Sequence, residues 1–282
     1  MKKQDVPLYV ISDLHLGFGR RDSFNEPARI RQLFSFVDHI EKENGQLVIL
    51  GDFFDLWRFR LSSIVKTHPD IIQRFSELDC VYVPGNHDRA VLNVSKTLKD
   101  KYGIFNKISE PFSVNIKDKK IIFCHGHEVD TLNKFIRPSF GKILGHFAII
   151  VEHFAKRQIF DSDNIRSAIF EAEASIASAW STMILGINKF ITESMTIQKL
   201  AVEMLKHKHN IKTINRYKKH LDQEHIVINA HTHKAGYFKD CYYNSGAWSM
   251  GNSDFIRISP NGMIDVLKWE NTGIKKNLTL LA

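Results

Sequence analysis

Cysteine is scarce in this sequence, and the few cysteines present do not form the pairs that metals or disulfides use. Only Cys80, Cys124 and Cys241 occur among 282 residues, and there is no Cys-x-x-Cys motif. Such a set excludes a disulfide framework and a thiolate zinc site, and it favours a reducing compartment. Cys80 and Cys124 each lie in an apolar run, so we expect both to fill space in the core.

Long apolar runs are also missing. No stretch reaches the roughly 18 apolar residues that a membrane-spanning helix requires. The run Leu8–Ile11, which follows the basic N-terminus, is too short for the apolar part of a signal peptide. We therefore expect a cytoplasmic protein that is at most peripheral to the inner membrane surface. Internal repeats and low-complexity segments are absent from the sequence as well.

Acidic residues are outnumbered, with 31 against 39 basic residues and a net charge of +8. This balance fits an anionic partner, which could be a phosphorylated metabolite, a nucleic acid or an anionic membrane surface. The hydrophobic content of 43% is enough for a large core, either one domain with an insertion or two domains.

Apolar strand-like runs alternate with amphipathic helices in the first half of the chain, which predicts an α/β fold. Helices are expected at 26–43 and 70–78, a hairpin at 113–116 and 120–124, and later strands at 226–228, 242–246 and 255–258. Residues 128–224 contain little glycine and have helical periodicity. We predict a core of 1–127 and 225–282, with 128–224 as a helical insertion or cap.

Five of the apolar runs end in a polar cluster. The clusters contain Asp13 and His15, then Asp52, then Asn86 and His87, then His125, and finally His231 and His233. In open α/β sheets, ligands bind at the carboxyl ends of the strands, so these side chains can converge there. Any one cluster alone could be an ordinary turn, but five at successive strand ends favour a shared site.

The donors in this set suit transition metals. Asp13, Asp52 and Asn86 offer oxygen, and His15, His125, His231 and His233 offer imidazole nitrogen. That number exceeds the needs of one ion and suits two ions of Mn²⁺, Fe²⁺ or Zn²⁺, with Mn²⁺ expected first. Two ions close together need a bridging anion. Asp52 is the candidate because a carboxylate at the end of a buried strand requires a partner.

The five motifs resemble those of the calcineurin-like metallophosphoesterases. The motifs are Asp13-x-His15, Gly51-Asp52-x-x-Asp55, Gly85-Asn86-His87-Asp88, His125-Gly126 and His231-x-His233, and they occur in that order. The resemblance covers 8–127 and 225–258. One departure is Ala230, at a position where the family usually has glycine.

The resemblance implies a four-layer sandwich, with two β-sheets flanked by helices, and a hydrolase that uses two divalent ions to activate a hydroxide. One ion would be held by Asp13, His15, Asp52 and His233, and the other by Asp52, Asn86, His125 and His231. His87 would protonate the leaving group, and Asp55 would pair with it and fix its tautomer. The bond cleaved would be a phosphoester or a diphosphate.

Within the superfamily, the motifs look most like those of UDP-2,3-diacylglucosamine pyrophosphatases, which also carry a helical insertion after the fourth motif. The insertion and the basic run at 206–219 would then suit an acylated anionic substrate at a membrane surface. Those enzymes usually have arginine where His87 stands. Arg58 and Arg89 are candidate phosphate contacts. The alternatives are a nuclease or phosphodiesterase of the same superfamily and, ranked last, a non-catalytic scaffold.

Overall fold

The structure is a computed structural model, and it describes residues 5–19, 22–127, 225–270 and 273–276. The predicted helical insertion at 128–224 and its basic run lie outside the described residues. No helix in the described ranges is long and apolar enough to cross a membrane.

Eleven strands in the described residues form two sheets. They are β1 (Leu8–Ile11), β2 (Gln46–Leu50), β3 (Cys80–Val83), β4 (Phe112–Ile116), β5 (Lys119–Phe123), β6 (His225–Asn229), β7 (Gly236–Phe238), β8 (Tyr242–Asn244), β9 (Asp254–Ile258), β10 (Ile264–Glu270) and β11 (Gly273–Lys276).

The first sheet has the order β11-β10-β9-β1-β2-β3. Strands β1, β2 and β3 are parallel, with Ile11 opposite Ile49 and Leu50 opposite Val83. The other three strands add to it in antiparallel pairs. The carboxyl ends of β1, β2 and β3 therefore lie at one edge, as the sequence predicts for neighbouring tips.

The second sheet has the order β4-β5-β6-β8-β7. Its centre is parallel, because β5 pairs with β6 and β6 with β8 in the same direction. The hairpins β4–β5 and β7–β8 close its two sides. Strands β5 and β6 carry the remaining two polar tips.

Alternate residues of β1 face different parts of the core, as strand geometry requires. Leu8 and Val10 belong to the buried cluster between the two sheets, together with Ile121, Ile226 and Ile228. Tyr9 and Ile11 belong to a second cluster that packs against the helices. Burial of both faces explains why the central strands are continuous apolar runs.

Four α-helices lie within the described residues: α1 (Pro27–Lys42), α2 (Leu61–Thr67), α3 (Pro69–Glu77) and α4 (Lys96–Lys101). Proline occupies the first position of α1 and α3, where its missing N–H costs nothing. Leu33, Phe36 and Ile40 form the buried face of α1. Short 3-10 helices occur at Ser23–Asn25, Arg89–Asn93 and Gly103–Lys107.

The predicted fold class is confirmed: two mixed sheets are flanked by helices. The predicted helices at 26–43 and 70–78 begin and end within one residue of α1 and α3. Helices α2 and α4 and strands β7, β10 and β11 were not predicted. Cys80 is buried as expected, whereas Cys124 is only half-buried, against Val227 and Tyr242.

Candidate metal centre

Backbone hydrogen bonds join the loops that follow the polar strand ends. The Asp13 N–H donates to the Gly51 carbonyl at 3.0 Å, and the His15 N–H donates to the Asp52 carbonyl at 2.9 Å. In the second sheet, the Ala230 N–H donates to the His125 carbonyl at 2.9 Å. These bonds extend strand pairing beyond the sheets and join the tips in two pairs, one pair in each sheet.

The structure brings Asp13, His15 and His233 together. One donor atom from each lies within 4.8 Å of the other two. Asp13 Oδ1 is 3.0 Å from His233 Nε2, and His15 Nε2 is 3.3 Å from that same nitrogen. These three residues were all assigned by sequence to the same ion.

Asp52, His125 and His231 form a second group that also meets the 4.8 Å criterion. Asp52 Oδ2 is 3.2 Å from His125 Nε2 and 3.9 Å from His15 Nε2. The carboxylate of Asp52 therefore lies between the two groups, where a bridging ligand would be. We call Asp13, His15, Asp52, Asn86, His125, His231 and His233 the metal-ligand cluster.

Asn86 provides a test of whether a cation fits. Its Oδ1 atom is buried and accepts no hydrogen bond from any part of the chain that the structure describes. Buried amide oxygens without a donor are rare, and a bound cation is one partner that would satisfy them. Together with the oxygen and imidazole donors beside it, this atom fits a divalent transition metal.

Five members of the metal-ligand cluster have left-handed backbone conformations. The φ angles are 53° at Asp13, 50° at His15, 52° at Asp52, 69° at His231 and 55° at His233. Such conformations cost of order 1–3 kcal/mol each for residues other than glycine and cluster at functional sites. Gly85 is required for another reason, since a Cβ atom there would collide with the Asp52 carboxylate.

Opposite charges determine the ionisation of the buried groups. Burial opposes the charged form of Asp13 and Asp52, but the imidazoles of His233 and His125 outweigh it and hold the pKa of both carboxyls below the ordinary value. Burial likewise opposes charging of His15 and His125. The carboxylates of Asp13 and Asp52 nevertheless raise the pKa of His15 to about 9 and the pKa of His125 to about 10.

His87 and Asp55 lie beside the metal-ligand cluster. His87 Nδ1 is 3.1 Å from Asp55 Oδ1, and the His87 ring meets that of His15 edge-on, with centroids 4.7 Å apart. Burial acts to raise the pKa of Asp55, but the hydrogen bond and charge of His87 lower it overall. The carboxylate can therefore hold the imidazole with Nδ1 protonated, which leaves Nε2 available for chemistry.

The two arginines predicted to contact substrate have other partners. Arg58 Nη1 donates to Asp22 Oδ1 at 2.9 Å and lies 3.5 Å from Asp55 Oδ2, and its side chain is 9% exposed. Arg89 pairs with Glu110 at 3.0 Å and is half exposed. Arg58 is thus tied to the carboxylate that holds His87, whereas Arg89 remains accessible.

Asp88 is a buried residue to which the sequence analysis gave no role. Its carboxylate accepts hydrogen bonds from Phe53 N at 2.7 Å, from Gly85 N at 2.7 Å and from the hydroxyl of Tyr82. It therefore ties the loop after β2, which carries Asp52, to the loop after β3. Burial and the charge of Asp52 raise the pKa of Asp88. The position of Asp88 directly after Asn86-His87 was the sequence feature that could have indicated this role.

Asn244 has an equivalent position in the second sheet. Its Nδ2 donates to the Ala230 carbonyl at 2.8 Å and to Thr232 Oγ1 at 3.1 Å, and its Oδ1 accepts from the Gly246 N–H at 3.0 Å. The loop that carries His231 and His233 is held in this way. An asparagine at the end of an apolar run was the signal that sequence reasoning missed.

Similarity to known proteins agrees with this geometry. The sequence model of the family described as calcineurin-like phosphoesterase matches residues 6–235. A UDP-2,3-diacylglucosamine hydrolase of Haemophilus influenzae is 24% identical over 209 residues, which cover 71% of this chain and 81% of that protein. The protein of that name from a second Haemophilus influenzae strain is 29% identical over 128 residues, 44% of this chain and 48% of that protein.

The chain belongs to the calcineurin-like phosphoesterase family. Its fold, its clustered metal donors and its relatives define a metal-dependent phosphohydrolase. The resemblance to UDP-2,3-diacylglucosamine hydrolases, first made on the motifs alone, is confirmed at 24–29% identity.

Proposed function

We propose that this chain hydrolyses a phosphoester or diphosphate bond with two divalent cations, Mn²⁺ first among them, held by the metal-ligand cluster. Asp13, His15, Asp52 and His233 would hold one ion, and Asp52, Asn86, His125 and His231 would hold the other. When bound, two such cations neutralise phosphate charge and lower the pKa of a water molecule. The position of Asp52 between the two donor groups is the observation that carries the proposal.

The protein's own groups have distinct tasks in this reaction. The buried carboxylates and imidazoles would hold the ions, and bound ions would orient the phosphate, a kind of positioning that supplies most of the catalysis in phosphoryl transfer. His87 gives the proton on Nε2 to the departing oxygen, and Asp55 keeps Nδ1 protonated. A substrate whose leaving group is a strongly basic alkoxide gains most from this proton.

The substrate we propose is a lipid-linked, phosphorylated sugar of the UDP-2,3-diacylglucosamine type. The named activity of the Haemophilus influenzae relatives supports this choice. Residues 128–224 would supply the acyl-chain site, and their basic run would meet an anionic membrane surface. His87, where the resembling enzymes usually have arginine, is a departure that favours added activity on esters.

A nuclease or phosphodiesterase is the second candidate, and the net charge of +8 favours it. Counterion release makes nucleic-acid binding steeply salt-dependent. Single-stranded DNA therefore belongs in any substrate panel, with salt concentration varied.

The test is hydrolysis by protein stripped of metal and reloaded with Mn²⁺, Fe²⁺ or Zn²⁺. The panel contains UDP-2,3-diacylglucosamine, a nucleotide diphosphate sugar, bis-p-nitrophenyl phosphate and single-stranded DNA. We expect metal-dependent release of UMP from the lipid-linked substrate, with Asp52→Asn as the inactive control. No turnover on any substrate above that control would overturn the proposal, and preferential, salt-sensitive cleavage of DNA would replace it with the second candidate.

A further inference from the structure

The imidazole of His87 is enclosed on several sides. Asp55 takes Nδ1, the ring edge meets His15, and the backbone N–H of His87 donates to Asp52 Oδ1 at 2.9 Å. One face of the ring is covered by the indole of Trp57. The centroids of these two rings are 4.0 Å apart and their planes differ by 19°, which is a close parallel stack.

Trp57 is itself fixed. Its Nε1 donates a hydrogen bond to the backbone carbonyl of Asn86 at 3.0 Å. The indole is therefore attached to the same loop that carries His87, and this hydrogen bond helps to fix one ring against the other.

The carboxylate partner of His87 has a second support. Arg58, which follows Trp57 in the chain, contacts Asp55 Oδ2 at 3.5 Å and donates to Asp22 Oδ1 at 2.9 Å. Asp22 in turn accepts from the backbone N–H of Gly19. The segment 55–58 thus supplies both a hydrogen-bond partner and a stacking partner to one imidazole.

We infer that Trp57 is a positioning residue that holds the His87 ring in the orientation from which Nε2 serves the leaving group. Two independent observations carry this inference: the parallel stack and the anchoring of the indole to Asn86. The inference rests on the proposed function of His87 as proton donor. It assigns Arg58 and Asp22 to the support of Asp55, in place of the phosphate contact expected for Arg58.

The experiment compares Trp57→Leu, Trp57→Phe, His87→Ala and the double variant Trp57→Leu/His87→Ala in metal-loaded protein. Substrates are a series of phosphate esters whose leaving groups differ in basicity. For Trp57→Leu we expect unchanged metal content, unchanged KM and a kcat loss of about 10- to 100-fold on poor leaving groups, the size that misplacement of a catalytic group produces. Trp57→Phe keeps a ring on His87 and should recover most of kcat.

The double variant provides the decisive comparison. If Trp57 acts through His87, Trp57→Leu has no effect once the imidazole is gone, so the double variant equals His87→Ala. Trp269→Leu is the matched control. Trp269, in β10, is buried against Phe36 and His39 of α1, and its replacement should leave kcat unchanged.

Other outcomes distinguish failure of the proposed function from failure of the role inferred for Trp57. Wild-type protein that hydrolyses neither a phosphoester nor a diphosphate would overturn the proposed function itself, whereas wild-type protein active on a diphosphate alone would overturn only this inference. Active wild type with a normal Trp57→Leu would overturn this inference alone, as would a Trp57→Leu loss that persists in the His87→Ala background.

Discussion

The metal-ligand cluster and the surroundings of His87 are built in different ways. Donors of the metal-ligand cluster come from strand ends of both sheets, and Asp13, Asp52 and His125 are at most 1% exposed. His87, Asp55, Trp57 and Arg58, which we call the His87 cluster, come from two neighbouring loops of one sheet, and the His87 side chain is 22% exposed. Backbone geometry positions the first set, whereas side-chain packing positions the second.

This difference implies that the two sets can be perturbed separately. Damage to the metal-ligand cluster should remove metal and all activity together. Damage to the His87 cluster should leave metal in place and change only which substrates react. The experiments that follow test this separation.

The largest effect is expected from Asp52→Asn, because the lost charge would be shared by both ions. Loss of an outer partner of a metal ligand already costs about 10- to 100-fold, so loss of the ligand itself should reduce activity by more than about 100-fold. Metal analysis of the purified variant checks this, with Asp118→Asn, in the exposed β4–β5 turn, as the control. Two equivalents of metal retained by Asp52→Asn would refute its bridging position.

His87→Ala should produce the next largest effect, but only on chemistry. We expect a full complement of metal and a loss of about 10²–10⁴-fold on esters with poor leaving groups, the usual contribution of a general acid. Esters of p-nitrophenol should lose much less. An equal loss on both kinds of ester would contradict the assignment of His87 as acid.

Asp88→Asn should act on metal binding more mildly. The new amide would direct hydrogens at a backbone N–H that now donates to Asp88, either that of Phe53 or that of Gly85. We expect affinity for the metal to fall by about 10- to 100-fold, with activity recovered at saturating metal. Competition with a chelating dye measures the affinity, and an unchanged constant would show that Asp88 does not hold the loops.

The smallest and most graded effect should come from pH. In metal-free protein the carboxylates raise the pKa of His15 to about 9 and that of His125 to about 10, from an ordinary 6.5. Their stabilising effect is therefore complete below about pH 6.5 and is lost as pH rises through 9 to 10. Metal binding needs neutral imidazole, so affinity should rise about tenfold per pH unit for each proton displaced.

Thermal unfolding from pH 6.5 to 10 would detect both trends. The midpoint of metal-free protein should fall with pH, while the increment produced by saturating Mn²⁺ at a fixed concentration should grow. If the midpoints of the metal-free and Mn²⁺-loaded protein changed in parallel with pH, metal would not be displacing protons from these histidines.

Sequence reasoning reached the strand tips because each combines an apolar run with a following polar residue. It missed Ile264–Glu270, although apolar and polar residues alternate through much of that strand. Gly236–Phe238 is three residues long and too short to show a period. The central parallel strands were visible because both faces are buried.

The supports of the site were less predictable, since their roles depend on residues distant in the sequence. Arg58 pairs with Asp22, which lies 36 residues away in the sequence, and no local pattern indicated this pairing. Trp57 was visible only as one aromatic in a basic stretch. Asn244 likewise comes close to the loop that it holds only when β8 pairs with β6.

The left-handed backbone at five metal-ligand positions lowers the stability of the fold at residues that metal binding requires. Glycine adopts this conformation more readily than histidine or aspartate does at such positions. Directed evolution of the metal-free protein for heat resistance alone should therefore replace His231 or His233 early, and the surviving variants should be sturdier and inactive. A selection that preserves turnover would have to find its stability elsewhere in the chain.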